Sequence, residues 1–378
     1  MKHELMGDTK AAIFTQRLDR AARAMGDAGV DALVLCPGAD LLYFTGFEHG
    51  HAGERLLTLV LRADGSSRWV VPAMNVPQVE AHALPGQTVR AWTDGEWFHT
   101  PLREVLAGAR TVAFDDEARA GFLLDVLALN PAPRVVRASA VTRALRIRKG
   151  PDEIEALRAA GRTVDETIAE AISFCRPGRT ESDVDRALRA ALVRRSPEST
   201  VAFTIIASGE NSALPHHETA DRAIRRGDVV VQDYGTRRQK YLSDITVTCS
   251  VGEPSDPEVR KVYRVVWEAQ QAALRAARPG VACGEVDRAA RSVIEAAGYG
   301  SYFTHRTGHG LGVQGHEPPY LVGGSAEKLE EGMVFSVEPG IYLPGRFGVR
   351  LEIIASVTRD GVQLLNAPSA PELPVAIV

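Results

Sequence analysis

The sequence predicts an α/β domain followed by an α+β domain that contains an internal repeat. Three observations carry this. Helical and strand-like apolar patterns alternate from about residue 14 to residue 145. Gly150-Pro151 then breaks the chain, and Asp152-Glu153 directly after it suit the first turn of a new helix. Beyond that break, Arg176-Pro177-Gly178 with Asp183-Val184-Asp185-Arg186-Ala187 recurs as Arg278-Pro279-Gly280 with Glu285-Val286-Asp287-Arg288-Ala289. The offset is a constant 102 residues, as from Arg176 to Arg278.

Phe14, Leu18, Ala21, Ala22 and Met25 fall at helical spacing, and Gly26 and Gly29 close that stretch. Asp31-Ala32-Leu33-Val34-Leu35-Cys36 reads as a buried strand. The apolar runs 56–61 and 69–71 flank Asp64-Gly65, which predicts a hairpin. Val112-Ala113-Phe114 is a further short strand. The first domain therefore covers residues 1–148 and the second 149–378. In the second, Ile154, Leu157, Val164, Ile168 and Ile172 form one apolar stripe of a long helix. Each repeat copy is a turn entering a helix, followed by strands that carry acidic residues. Two similar halves place a site between them.

Composition sets the outer limits. A chain of 378 residues accommodates two domains, and 45% apolar with 24% charged residues is ordinary for a globular protein. A net charge of −4, with acids interspersed among the arginines, gives no nucleic-acid surface. No run approaches the roughly 18 apolar residues of a membrane span, so no membrane partner is expected. The first residues lack the apolar core of a secretory signal. Cys36, Cys175, Cys249 and Cys283 lie far apart with no Cys-x-x-Cys pair. They read as reduced thiols in a cytoplasmic protein.

The chemistry-bearing residues sit in the second domain. Val229-Val230-Val231-Gln232-Asp233-Tyr234-Gly235 and Tyr241-Leu242-Ser243-Asp244-Ile245-Thr246-Val247 read as antiparallel strands around a polar loop. A hairpin there sets Asp233 and Asp244 side by side. The alternative, two solvent-facing carboxylates, is opposed by their apolar flanks. Val334-Phe335-Ser336-Val337-Glu338 and Gly348-Val349-Arg350-Leu351-Glu352, joined through Pro344-Gly345, repeat the arrangement with Glu338 and Glu352. His309 lies in Thr307-Gly308-His309-Gly310-Leu311-Gly312, where small neighbours admit close approach to the backbone. His305 and His316 flank it. His216 and His217 follow the loop 208–215 and can line the same cleft, with simple exposure as the alternative reading for His217. Four carboxylates and one imidazole converging would carry four negative charges, which two divalent cations neutralise. An oxygen-rich set favours Mn²⁺, with Co²⁺, Zn²⁺ or Fe²⁺ as alternatives.

The ordered set Asp233, Asp244, His309, Glu338 and Glu352 resembles the metal ligands of the pita-bread metallopeptidases, the family of methionine aminopeptidase, aminopeptidase P and prolidase. Leu42-Tyr43-Phe44-Thr45-Gly46-Phe47 resembles the creatinase/prolidase-type N-terminal domain, so the resemblance spans nearly the whole chain. It implies a pita-bread catalytic domain with a pseudo-two-fold repeat. It implies that Asp233 chelates one metal, that Asp244 and Glu352 bridge both, and that His309 and Glu338 complete the other site. The implied nucleophile is a hydroxide between the metals, with Glu338 as proton shuttle. His216 and His316 match the residues that hold the scissile carbonyl, and His305 and Arg350 match positions in the substrate cleft. A homodimer is also implied. One departure is plain: the family usually has Asp after the last ligand, where this chain has Ile353.

The N-terminal domain points away from ordinary methionine aminopeptidase. Glu54-Arg55-Leu56-Leu57 is similar to a segment of compact bacterial Xaa-Pro dipeptidases, where His often precedes the Glu-Arg pair. Here Gly53 stands there, with His51 nearby. The expected activity is therefore hydrolysis of the Xaa-Pro bond of dipeptides, with a small peptide carrying proline second as substrate and Arg55 binding it. Aminopeptidase P, acting on longer peptides, is the first alternative. A metal-free creatinase-like or lyase-like relative is the next, and a non-catalytic relative is the last.

Overall fold

The computed structural model describes residues 2–49 and 53–377, with side chains from residue 11 onward. His51 thus lies outside the described residues. The chain divides into two compact units between Arg146 and Ile147.

The first unit is built on a six-stranded sheet of β1 (Ala32–Leu35), β2 (Thr58–Arg62), β3 (Ser67–Pro72), β4 (Thr88–Trp92), β5 (Thr111–Phe114) and β6 (Arg134–Arg137). Their order is β4-β3-β2-β1-β5-β6. The hairpin β2–β3 is antiparallel, with Gly65 at φ 84° and the Asp64 carboxylate accepting from Ser66 N at 2.9 Å. The outer pairs β3–β4 and β5–β6 are parallel. Helices α1 (Lys2–Ala28), α2 (Ala39–Thr45), α3 (Val76–Glu80), α4 (His99–Val105), α5 (Ala120–Leu127) and α6 (Ser139–Arg146) connect or cover the strands. One core gathers Val34, Val60, Val70, Trp92, Phe98 and Phe122. The Leu42–Phe47 stretch forms buried α2 and its exit. Gly46 ends that helix at φ 68°, and a Cβ there would meet the Phe14 ring at 2.5 Å.

The second unit opens with α7 (Pro151–Phe174), where Gly150 N donates to Glu153 Oε2 at 3.0 Å across the first turn. Next comes α8 (Glu181–Arg195), capped by Thr180 and Asp183 bonding reciprocally. Helices α9 (Val259–Ala276) and α10 (Cys283–Ala296) repeat the pair. The repeat is in register at the helix junctions: α7 and α9 end, and α8 and α10 begin, at the 102-residue offset seen in the sequence. Arg189 pairs with Asp185 on α8, and Arg291 pairs with Asp287 on α10. Thr204 donates to the first aspartate and Thr307 to the second.

Two sheets follow the two helix pairs. β7 (Thr200–Ser208), β8 (Val229–Arg238), β10 (Ile245–Val251) and β18 (Val375–Ala376) form one, and β9 (Tyr241–Leu242) adds to β8. β11 (Gly308–Gly310), β12 (Glu317–Leu321), β13 (Val334–Val337), β16 (Ile353–Thr358) and β17 (Gly361–Leu364) form the other. A short ribbon, β14 (Gly340–Leu343) with β15 (Phe347–Arg350), completes the unit. Val262, Val266 and Ala273 of α9 pack with Phe335, Val337 and Ile353 in one core. The expected α/β unit followed by an α+β unit with an internal repeat is the observed architecture.

Candidate active site

Asp233 and Asp244 come from the first sheet. Asp233 sits within β8 and is 8% exposed, opposite Thr246 of β10. Asp244 lies in the interruption between β9 and β10, where the backbone crowds Gly235. A Cβ on Gly235 would come within 2.0 Å of Ser243 O. The two aspartates are therefore diagonal neighbours and do not face each other as a cross-strand pair, which differs from the hairpin expectation. Diagonal placement still lets their oxygens meet.

Glu338 and Glu352 come from the second half. The ladder Val337↔Ile353 and the ladder Gly340↔Arg350 share one register, so the two glutamates fall opposite each other in the gap between them. There Glu338 N donates to Thr307 O at 2.8 Å and Glu352 N to Thr246 O at 3.1 Å, and both carboxylates are turned inward. His309 sits on β11. Its flanking glycines serve a different purpose from the one the sequence suggested. A Cβ at Gly308 would lie 2.0 Å from Ser336 O, and one at Gly310 would lie 2.3 Å from Pro318 O. The glycines allow close strand packing around the histidine.

These five side chains converge. Donor atoms of Asp233, Asp244 and Glu352 lie within 4.8 Å of one another, as do those of His309, Glu338 and Glu352, and those of Asp244, His309 and His316. His309 Nε2 is 3.2 Å from Glu338 Oε1 and 3.7 Å from Asp244 Oδ2. Arg350 is buried beside them. It donates to Asp233 Oδ2 at 2.6 Å, to Thr246 Oγ1 at 3.0 Å, to Pro215 O at 3.0 Å and to Tyr342 Oη at 3.0 Å. Thr246 in turn donates to Glu352 Oε2 at 2.8 Å.

The electrostatics of the bare cluster are unfavourable. Burial, reinforced by the neighbouring carboxylates, pushes Asp244 and Glu352 well above the usual carboxylate range. Burial also raises Asp233, against the pull of Arg350. Glu338 goes the other way. Burial opposes its charge, but the hydrogen bond and charge of His309 hold it down at about 2. Asp233 Oδ1 and Glu352 Oε1 are buried with no hydrogen-bond partner. Such orphaned acceptors are rare unless an ion or water meets them. An oxygen-rich set with one imidazole and two unmatched oxygens fits a pair of divalent cations.

The cluster forms the floor of a cleft of about 630 Å³, whose walls include Phe203, Ile205, His216, His305, Arg306 and His316. His305 bonds Tyr342 Oη at 2.9 Å, and burial lowers its pKa. His316 lies tilted against His309 with centroids 3.8 Å apart, and its Nδ1 is 3.3 Å from Arg306 Nη2. His217 is absent from the walls. It turns inward, with a side chain 8% exposed, and meets Glu181 Oε2 at 2.7 Å. Arg55 belongs to the first unit, where its guanidinium forks onto both oxygens of Asp94 at 2.9 Å. Ile353 is buried in the core of the second unit, and Thr246 supplies the hydrogen bond that steadies Glu352. Thr246, Tyr342 and Arg306 escaped the sequence reading. For Thr246 the only available signal was its place two residues beyond Asp244, on the same strand face.

Comparison with known proteins agrees with the family resemblance. Residues 155–359 match the family model of Metallopeptidase family M24, and residues 17–148 match the Creatinase/Prolidase N-terminal domain. The chain is 44% identical to "Probable dipeptidase PepE" of Mycobacterium tuberculosis over 361 residues, covering 94% of this chain and 95% of that one. The crystal structure of dipeptidase PepE from Mycobacterium ulcerans superposes with a TM-score of 0.90 at 41% identity, over 97% of this chain and 99% of the other. That of recombinant prolidase from Thermococcus sibiricus also gives 0.90, at 34% identity, over 96% and 99%.

Proposed function

The chain belongs to metallopeptidase family M24, and from that premise we propose that it is a prolidase, hydrolysing the Xaa-Pro bond of dipeptides with two divalent cations. The observation that carries the reading is the buried cluster of four carboxylates and one imidazole with two unmatched oxygens, open to a cleft of about 630 Å³. The names of the similar proteins, dipeptidase and prolidase, support the substrate class.

In this reading Asp233, Asp244, His309, Glu338 and Glu352 hold the cations. The bound cations would polarise the scissile carbonyl and make a water acidic enough to attack it near neutral pH. Glu338 takes the proton from that water and delivers it to the departing prolyl nitrogen. His216 and His316, in the cleft walls, hold the carbonyl oxygen as charge develops on it. His305 lines the substrate pocket. Arg350 holds Asp233 in place through its 2.6 Å bond and supports the pocket through Pro215 and Tyr342. Arg55, whose Nε and Nη2 are held by Asp94, recognises the free carboxylate of the substrate through its remaining guanidinium N–H groups. Manganese is the proposed ion because the donors are mostly oxygen. A cytoplasmic homodimer is the proposed working form, supported by the family resemblance and by four buried free cysteines.

The test is turnover by metal-stripped protein after adding Mn²⁺, Co²⁺ or Zn²⁺, with Ala-Pro and Gly-Pro beside Ala-Pro-Pro. Metal-restored cleavage of the dipeptides alone is expected. Cleavage of the tripeptide as well would make the enzyme an aminopeptidase P. Metal binding without any cleavage would remove the peptidase reading.

A further inference from the structure

The two histidines assigned to the scissile carbonyl, His216 and His316, stand exposed in the cleft. Exposed rings on loops need something to fix them before they can act with useful geometry. In both cases the next residue along the chain is tied to a buried polar partner. His217 Nε2 meets Glu181 Oε2 at 2.7 Å, and Glu317 Oε1 meets Lys149 Nζ at 2.7 Å. The side chains of Glu181, Lys149 and Glu317 are 0%, 1% and 4% exposed.

Glu181 does more than pair with His217. Its Oε1 accepts from Ser208 N at 2.7 Å, Ser208 Oγ at 2.7 Å and Asn211 Nδ2 at 3.0 Å. Its Oε2 also accepts from Ala220 N at 3.2 Å. Every donor lies on the segment that carries His216, so one buried carboxylate grips that segment at both ends and beside the histidine. A charge so deeply buried is costly unless its hydrogen bonds are complete, and here they are numerous.

The repeat makes the second case informative. The position equivalent to Glu181 in the second half is Cys283, which starts α10 and offers no carboxylate. The His316 loop is gripped from a different place. Glu317 folds back under its own loop, so close that a Cβ on Gly312 would come within 2.7 Å of its Oε1. Lys149, just before α7, reaches it there, and its Nζ is also 3.5 Å from Ile147 O. The two halves thus tie down the residue after the histidine with different partners.

We propose that Glu181 and Lys149 are positioning residues for the proposed reaction, Glu181 acting through His217 on His216 and Lys149 acting through Glu317 on His316. This rests on the assignment of His216 and His316 to the carbonyl. Neither positioning residue touches the cleft, and each serves one histidine.

Two double-mutant cycles test this, using the full-length metal-loaded protein. E181Q and K149M are each expected to lower kcat about tenfold or more with little change in KM and near wild-type metal content, and also to lower the thermal midpoint, because each leaves a buried polar partner unmatched. In an H216A background E181Q should cost less than about twofold further, while K149M keeps its full effect. In an H316A background the pattern should reverse. Effects that multiply in both backgrounds would mark the pairs as structural supports only and overturn the inference. If E181Q or K149M fails to fold, H217Q and E317Q carry the same cycles. A distinct outcome, full turnover by both H216A and H316A, would remove the assignment of those histidines instead.

Discussion

Thr246 offers a test of how the candidate site is braced, because it does no chemistry and its loss changes little volume. Its hydroxyl donates to Glu352 Oε2 at 2.8 Å and accepts from Arg350 Nε at 3.0 Å, and the residue is 1% exposed. T246V keeps the β-branched shape and removes both bonds. One hydrogen bond to a charged group is worth about 1.5–3 kcal/mol. Loss of a bond that orients a metal-ligating carboxylate typically weakens metal affinity about 10–100-fold, which is about 1.4–2.7 kcal/mol. The two figures agree, so most of the lost bond should appear as weaker metal binding. The assay is competition with a chelator of known strength, read as metal occupancy against free Mn²⁺. Turnover at saturating metal should recover most of its wild-type value, since the ligands remain. Wild-type metal affinity in a folded T246V protein would refute the bracing argument. Weak affinity with no recovery at saturation would show instead that Thr246 shapes the reacting geometry.

Three further outcomes follow from other parts of the molecule. Asp115, buried just past the end of β5, is pushed up to about 7 by burial, despite accepting from Glu117 N and Cys36 N. Its folded value lies above its unfolded one, so its contribution is most favourable in acid and is lost as pH rises from about 4 through 7. Urea midpoints followed by tryptophan fluorescence should therefore show a weaker decline from pH 5.5 to pH 8 in D115N than in wild type. G308A forces a Cβ to within 2.0 Å of Ser336 O, and should cost about 3 kcal/mol or more in unfolding free energy or displace His309 and abolish metal binding. R55M should raise KM for Ala-Pro several-fold without changing kcat, and an unchanged KM in steady-state assays would leave Arg55 as the partner of Asp94 alone.

Much of the second unit was readable from the chain because the signals are local. The Gly150-Pro151 break, the stripe of α7 and the 102-residue recurrence all lie in short windows, and the helices start and stop where those signals stand. The acidic residues were conspicuous because apolar strand sequence surrounded them. The function of the glycines around His309 was misjudged because a glycine states only that space is needed. What occupies that space, the Ser336 and Pro318 carbonyls, is set by how β11 lies against β13 and β12. His217 was equally ambiguous, since its neighbours in sequence are those of an exposed loop and its partner, Glu181, lies on another element.

By itself the sequence determined the two domain classes, the repeat and the residues able to bear the chemistry, since periodicity, turn residues and side-chain type are properties of neighbouring positions. Only the tertiary structure decided that Asp233 faces Thr246 and lies diagonal to Asp244, that Thr246 takes up the steadying of Glu352 beside an apolar Ile353, and that Lys149 holds Glu317 across 168 residues. Those outcomes depend on strand register and on which charges can find a partner once water is excluded. Neither leaves a pattern until the chain has closed on itself.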